Sequence, residues 1–374
     1  MAPYYIGLMS GTSMDGVDGV LIELTPDDSQ QLRVLAHSHL PFDEALGGVM
    51  LDLNGIGANE LHRAALAANS LARHYASCVE ALLLGADVDR REVKAIGAHG
   101  QTVRHRPGDF DGTGYSIQLN APALLAESTE IDVVCDFRSR DIAAGGQGAP
   151  LVPAFHRTMF GRLAPALAVL NIGGISNLTV LNGNEVILGF DCGPGNTLMD
   201  YWCQRNTGSR FDDRGTWARS GVVVSDLVEA MLREPYFSCA PPKSTGRDLF
   251  RPQWLEAKLQ GLGTPIAPER IQASLAELTA IACARDVRCR APGARLLLVS
   301  GGGALNTYLM ERLAVHLPSV AVCKTDLYGL PATQVEACAF AWLAHAFLER
   351  QTASLPAVTG ARESRVLGAL YPAR

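Results

Sequence analysis

Lysine is scarce in this chain of 374 residues: Lys94, Lys243, Lys258 and Lys324 are four of its 32 basic residues. Charged residues of all kinds make up 19%, against about 25% in an average protein. The net charge is −6, with acids and bases interspersed, so no block of one sign is present to bind nucleic acid or an anionic membrane. No window approaches ~18 uninterrupted apolar residues. Met1-Ala2-Pro3-Tyr4-Tyr5 has neither the basic nor the apolar stretch of a leader, and a cytoplasmic protein is expected. The nine cysteines include no CxxC pair and no Cys/His cluster at zinc spacing, which argues against a disulfide framework and a structural zinc. Reduced, mostly buried thiols are expected instead.

Common nucleotide signatures are missing as well. No GxxxxGK[ST] occurs, because Lys243-Ser244-Thr245 follows Pro241-Pro242 where a Walker loop requires glycine. Neither Gly301-Gly302-Gly303-Ala304-Leu305-Asn306 nor Gly193-Pro194-Gly195-Asn196-Thr197-Leu198 supplies the third glycine of a dinucleotide loop. The HRD…N loop of protein kinases is absent. With so few lysines, a polyphosphate here must be met mainly by Mg²⁺, backbone N–H groups and at most an arginine.

What the chain has is apolar surface and glycine. Nearly half the residues are apolar and 37 are glycine, about a tenth of the chain. The length suggests two or three domains with a sizeable core. A short apolar run, Tyr4 to Leu8, precedes a polar glycine turn, Ser10 to Gly16, and a second run, Val17 to Leu24, which predicts a strand, turn and return strand. The pattern recurs half a chain later, with Leu167 to Leu170, the turn Asn171 to Asn177, and Leu178 to Leu181. Two halves built on one plan are implied. Between them, apolar residues spaced by three or four predict a long helix over 58–86, and Val93 to Ala98 predicts a strand running into the polar loop 99–107. Two further strands run into polar turns and helices: Val186 to Phe190 into Asp191–Asn196, and Arg295 to Val299 into Ser300–Asn306. The pattern is α/β in both halves, and a cleft between two lobes is the expected ligand site.

The first turn can aim several N–H groups at a phosphate, and Asp15 can hold Mg²⁺ directly or through water. An ordinary hairpin turn uses the same residue types. Asp191 follows an apolar strand and has two open roles: a general base projecting from the strand end, or a cap on the helix starting near Pro194. His99, Gln101, Asn120, Asp136, Arg138 and Glu336 offer the donors, acceptors and fixed cation of a sugar or sugar-acid pocket, and each can equally be a structural hydrogen-bond partner. The run Asp136 to Asp141 also reads as a solvated salt-bridge segment.

Taken in order, the motifs resemble a known family. Tyr5 to Asp18, Ala98 to His105, Asp136-Phe137-Arg138, Ala144 to Pro153, Asn171 to Asn177, Asp191 to Asn196, Pro241 to Arg247 and Ser300 to Gly303 are similar to the signature segments of the anhydro-N-acetylmuramic acid kinases. The resemblance implies a two-lobed, ribonuclease-H-like α/β fold of the actin and sugar-kinase type with a central interlobe cleft. Residues 1–137 with 355–374 would form one lobe and 138–354 the other. It implies that ATP, with Mg²⁺, phosphorylates the 6-oxygen of 1,6-anhydro-N-acetylmuramic acid while water opens the anhydro bridge. Asp191 is then the base. Gly11, Thr12, Ser13, Met14, Asp15, Gly16, Val17 and Asp18 form the first ATP segment, Gly173 and Gly174 the second, and Gly301, Gly302, Gly303 and Asn306 approach the adenosine. His99, Gln101, Asn120, Asp136, Arg138 and Glu336 are the substrate set, with Arg138 facing the lactyl carboxylate. A cytoplasmic homodimer is also implied.

Two positions depart from the family pattern: Thr333 stands where an Asp is usual, and is expected to act as an N-cap in its place, and Cys192 stands where a Thr is common. A plain sugar kinase acting on a free hydroxyl, and a non-catalytic nucleotide switch, are the alternatives. Of the 37 glycines, 18 fall in the segments 7–19, 97–101, 145–148, 171–177, 189–196, 300–306 and 329–331, turns expected to face ATP or the sugar.

Overall fold

The computed structural model describes residues 3–11, 14, 16–25, 32–183, 185–241, 243–246 and 249–374. It divides into two compact units, residues 1–159 with 334–374, and residues 160–333. In the first unit, β1 (Tyr4–Ser10), β2 (Gly16–Leu24) and β3 (Leu32–Pro41) form an antiparallel meander. β4 (Val93–Pro107) lies parallel to β1 on its other side, and pairs with both β5 (Gly114–Leu119) and the parallel β6 (Val133–Cys135). In the second unit, β7 (Ala166–Ile172), β8 (Ile175–Asn182) and β9 (Glu185–Pro194) repeat the meander. There β10 (Leu296–Ser300) lies parallel to β7, and β11 (Ala321–Lys324) parallel to β10. The chain then returns to the first sheet, where β12 (Ala369–Tyr371) pairs antiparallel with β6. The expected shared plan is therefore present: the path is β3-β2-β1-β4-β6-β12 in the first unit, with β5 paired to β4 off that path, and β9-β8-β7-β10-β11 in the second, the same ribonuclease-H-like order of three antiparallel strands followed by two parallel ones.

Both hairpins form where apolar runs flank the glycine turns. The helix Glu60–Ala86 buries Leu71, Tyr75, Cys78, Val79 and Leu82 along one stripe and closes at Asp87, whose φ of 53° is left-handed. The segment 99–107, expected as a loop, instead continues β4: Gln101 pairs with Leu119, and Arg104, His105 and Arg106 pair with Ile117, Ser116 and Tyr115. Beyond Gln101, which still pairs with β1, the polar side chains are tolerated because that part of the strand is held by a two-stranded ribbon with β5 rather than buried in the sheet centre.

The unit boundaries, at 159/160 and 333/334, differ from the expected 137/138 and 354/355. The difference includes the helix Val335–Leu348, apolar along nearly its whole length, which packs on β1 and β4. Gly7 and Gly97 sit side by side in that β1–β4 register. A Cβ on Gly7 would lie 1.9 Å from the Ala337 carbonyl oxygen, and one on Gly97 2.0 Å from that of Phe340. These two glycines thus admit a helix backbone and do not face a ligand. Gly19, another of the segment glycines, likewise makes room for Cys78 and Leu82.

Gly7→Ala or Gly97→Ala is expected to destabilise the protein by about 3 kcal/mol or more, because backbone rather than a flexible side chain must move. Gly48→Ala is the control: it lies in the helix Glu44–Asp52 with open space around its Cβ. That change should stabilise by about 0.5–1 kcal/mol. Thermal melts of the three variants check both directions.

Candidate active site

Asp191 lies within β9 rather than beyond it, beside a register shift: Asp191 pairs with Asn177, Gly193 with Ser176, and Cys192 is the extra residue. Its backbone N–H donates to the Lys243 carbonyl at 3.2 Å, and its own carbonyl accepts from the Tyr236 hydroxyl at 2.8 Å. Oδ2 accepts the Thr245 N–H at 3.0 Å. The helix that follows, Thr197–Thr207, has Asn196 at its N-cap position with no side-chain cap bond, so Asp191 does not cap it. Burial pushes the Asp191 carboxyl up to about 6, opposed by the Thr245 N–H and the Lys243 charge. A carboxylate poised between its proton-bound and ionised forms near neutral pH is a competent general base.

Lys243 is nearly enclosed, its side chain 4% exposed, with Nζ 3.3 Å from Asp286 Oδ2. The ammonium also lies 5.0 Å from the Tyr236 ring centroid and 5.5 Å from that of Phe190. Cys192 is fully buried beside them. Tyr236, Lys243, Thr245 and Asp286 were not among the expected site residues. The segment Pro241 to Gly246 carries no spacing signal for such a role, since nothing in its sequence says that its lysine is buried.

Around this carboxylate's unit, three turns pack on one another at the carboxyl ends of β7, β9 and β10. The Gly173 carbonyl accepts from Asn196 N–H at 2.8 Å, and the Gly174 carbonyl from Gly195 and Thr197 N–H at 2.9 and 3.2 Å. A Cβ on Gly195 would meet the Gly173 carbonyl at 2.2 Å, and one on Gly303 would meet Ile172 at 2.3 Å. Gly301 has φ of +80° and packs on Asn171 and Ile172, while Gly302 faces Asn196. The Thr279 hydroxyl, from the helix Pro268–Arg290, donates to the carbonyls of Pro194 and Gly195. Gly173, Gly174, Gly301, Gly302 and Gly303 are therefore gathered in one place. Asn306 caps the helix Thr307–His316: its Oδ1 accepts the Leu309 N–H at 3.0 Å.

In the first unit, Thr12, Ser13 and Asp15 lie outside the described residues. Gly11 and Met14 close the turn through a 3.2 Å bond from Met14 N–H to the Gly11 carbonyl, with Met14 at φ 55°. Gly16 lets β2 meet the Leu40 carbonyl, and the Val17 side chain is fully buried in the core. Asp18 Oδ1 is 3.0 Å from His39 Nδ1 and 3.3 Å from His37 Nε2. Gln101 is fully buried and committed to the turn: Oε1 accepts the Ser10 hydroxyl, and Nε2 donates to the Gly11 carbonyl at 3.1 Å. It braces the turn after β1, a role its sequence position did not reveal.

Of the remaining polar set, His99, Arg138 and Glu336 come together. Arg138 donates to His99 Nε2 at 2.8 Å and to the Gly148 carbonyl at 2.7 Å, and its buried Nε has no hydrogen-bond partner among the described residues. Burial and the Arg138 charge drop His99 to about 3, keeping it a neutral acceptor. Burial pushes the Glu336 carboxyl up, against the pull of Arg138. Asn120 donates to the Ala98 carbonyl at 3.4 Å and leaves a buried Oδ1 unpartnered among the described residues. Asp136 stands apart, exposed, accepting the Ser139 hydroxyl at 2.6 Å. The run Asp136 to Asp141 is not a solvated salt-bridge segment, because Asp141 is fully buried and accepts from Gly148 N–H, Ser354 and Thr359. Thr333 does not cap the following helix; Gln334 occupies that position without a side-chain bond. Among the described residues, no cluster of three His, Cys, Asp or Glu side chains forms a metal site.

Two ribonuclease-H-like sheets, glycine turns at strand ends and a buried strand-borne carboxylate describe a phosphotransferase-type architecture. The family model "Anhydro-N-acetylmuramic acid kinase" matches residues 3–373. A Variovorax paradoxus protein of that name is 56% identical, covering 99% of both chains. A Cupriavidus pinatubonensis one is 56% identical over 98% of both, and a Bordetella pertussis one 56% identical over 99% of this chain and 96% of its own. The chain belongs to the anhydro-N-acetylmuramic acid kinase family, as its motifs led one to expect, and is an enzyme.

Because its folded-state pKa is raised, Asp191 weighs on stability once pH passes about 6 and does not below the unfolded value near 4. Asp191→Asn can keep the Thr245 bond without the charge. It is expected to raise the melting temperature by a few degrees at pH 8 and to leave it unchanged at pH 4. Melts of the two proteins at both pH values measure the difference.

Proposed function

We propose that the enzyme uses ATP to convert 1,6-anhydro-N-acetylmuramic acid and water into N-acetylmuramic acid 6-phosphate and ADP. The observation that carries this reading is the family match over residues 3–373. Asp191 takes a proton from water, and the resulting hydroxide attacks the anomeric carbon. The bond from that carbon to the bridging oxygen breaks, and this oxygen, now the 6-oxygen, attacks the γ-phosphorus as ADP departs. Asp191 suits the first step because the Thr245 N–H fixes one carboxylate oxygen, while the other has no hydrogen bond among the described residues.

Phosphoryl transfer asks mainly for positioning and charge stabilisation. The glycine turns at 173–174 and 301–303, with the turn at 11–18, are assigned to ATP. Mg²⁺ arriving with ATP supplies charge neutralisation, and needs no all-protein cage because it keeps several waters and binds through phosphates and one or two carboxylates. Asp15 is the proposed protein contact; Asp18, already engaged by His37 and His39, is the less available of the pair.

Arg138 is assigned to the lactyl carboxylate, which its buried, unpartnered Nε supports, since an unmatched guanidinium donor is costly without a ligand. Neutral His99, Glu336 and the unpartnered Oδ1 of Asn120 are assigned to sugar hydroxyl and acetamido groups. Asp136 remains in the substrate set as an exposed contact, and Gln101 acts through the turn it braces. A homodimer in the cytoplasm, serving the recycling of cell-wall sugars, completes the reading; no helix among the described residues is long and apolar enough to cross a membrane.

ADP release with anhydro-N-acetylmuramic acid, run in ¹⁸O-water, tests the reaction. Label at C1 of the product is expected, and unlabelled product would identify a plain kinase. Asp191→Asn should lower kcat by a factor of about 10²–10⁴ with ATP affinity retained. Arg138→Met should raise KM for the sugar about tenfold or more.

A further inference from the structure

We propose that Lys243 is a positioning residue for Asp191, its buried ammonium holding that carboxyl in the ionised form while its backbone and that of Thr245 fix the orientation. The inference rests on the reading of Asp191 as base. A lysine is seldom enclosed unless paired, and Lys243 is both enclosed and paired, through Asp286 at 3.3 Å. The Phe190 and Tyr236 rings flank the ammonium, at 5.5 and 5.0 Å from the ring centroids. Phe190 immediately precedes Asp191, and Tyr236 binds the Asp191 carbonyl, so the same two residues locate both charges. The bulge at Cys192 disturbs the strand ladder, and the Lys243 carbonyl takes the Asp191 N–H there. Two residues on, the Thr245 N–H reaches Oδ2. One short segment therefore grips Asp191 by backbone at both ends and supplies a cation nearby.

The groups acting on this carboxyl come from several elements. Lys243 lowers its proton affinity, burial raises it, and the Thr245 N–H favours the ionised form. Tyr236 from the 3-10 turn Pro235–Ser238, Cys192 from β9 itself, and Asp286 from the helix Pro268–Arg290 complete the surroundings. Asp286 both anchors Lys243 and dilutes its field. Removing the lysine and removing its counter-charge should therefore push Asp191 in opposite directions, which a merely structural salt bridge would not do.

The test uses the full-length enzyme carrying ¹³C-aspartate, with the Asp191 carboxyl resonance assigned by its loss in Asp191→Asn. In Lys243→Met the titration midpoint is expected to rise by about one pH unit or more, equivalent to a tenfold change in proton affinity. In Asp286→Asn it is expected to fall. The acid limb of kcat/KM should follow both shifts, with Lys243→Met losing about fivefold or more at pH 6 and recovering above pH 8. Should Lys243→Met not fold, Lys243→Met/Asp286→Asn leaves no orphaned charge and is expected to show a smaller rise in the midpoint. Unmoved midpoints, or midpoints that move the same way in Lys243→Met and Asp286→Asn, overturn the proposal. Full turnover in Asp191→Asn would instead overturn the base reading, while the carboxyl midpoints still decide whether Lys243 controls that group.

Discussion

Backbone meeting backbone at less than side-chain distance is the constraint on which both units depend. In the first, a helix lies directly on the sheet because Gly7 and Gly97 offer no Cβ to the carbonyls of Ala337 and Phe340. That contact fixes the start of the helix, and with it Glu336, against the region of Arg138 and His99. In the second unit, Gly195 and Gly303 allow three strand-end turns to stack, leaving their N–H-rich loops in one place. The glycine excess has two uses. Some glycines form turns, and others are the flat ground on which an element carrying a polar residue is set down.

A second theme is that the polar groups are held in graded ways. Gln101 is saturated by its own chain, whereas Arg138 donates to two acceptors, the Gly148 carbonyl and His99 Nε2, and keeps its Nε–H without one among the described residues. Asp191 is bound by one N–H. An unsatisfied buried donor costs about 1–3 kcal/mol, so groups kept incomplete in this way are offset elsewhere in the fold. Gln101, with both ends of its amide engaged by its own chain, holds the shape of the turn at Gly11.

Much of the architecture was legible because periodicity and glycine turns are local signals. The two hairpins, the helix over 60–86 and the repetition of one plan all follow from residues within a few positions of each other. What was not legible depends on pairing across the chain. The polar stretch Thr102 to Arg106 looks like a loop until β5 is there to bond it. That Asn306 caps a helix shows only once the Leu309 N–H meets its Oδ1. Nothing in the sequence around Lys243 marks it as enclosed, and only the convergence of Phe190, Tyr236 and Asp286 makes it an interior cation. The placement of the 335–348 helix on β1 and β4 was not legible for the same reason, since an apolar helix states that it is buried and not against which sheet.

The order of the units along the chain has a consequence for how the protein is made. Residues 160–333 are contiguous, so every side chain of that unit's core is available once Thr333 has been synthesised. The first unit cannot be finished then. Its sheet awaits β12, its buried Asp141 awaits Ser354 and Thr359, and Gly7 and Gly97 remain bare until the 335–348 helix arrives. During synthesis the later-starting unit can therefore be the first to close, and the amino-terminal strands wait, with an uncovered apolar face, for the last tenth of the chain.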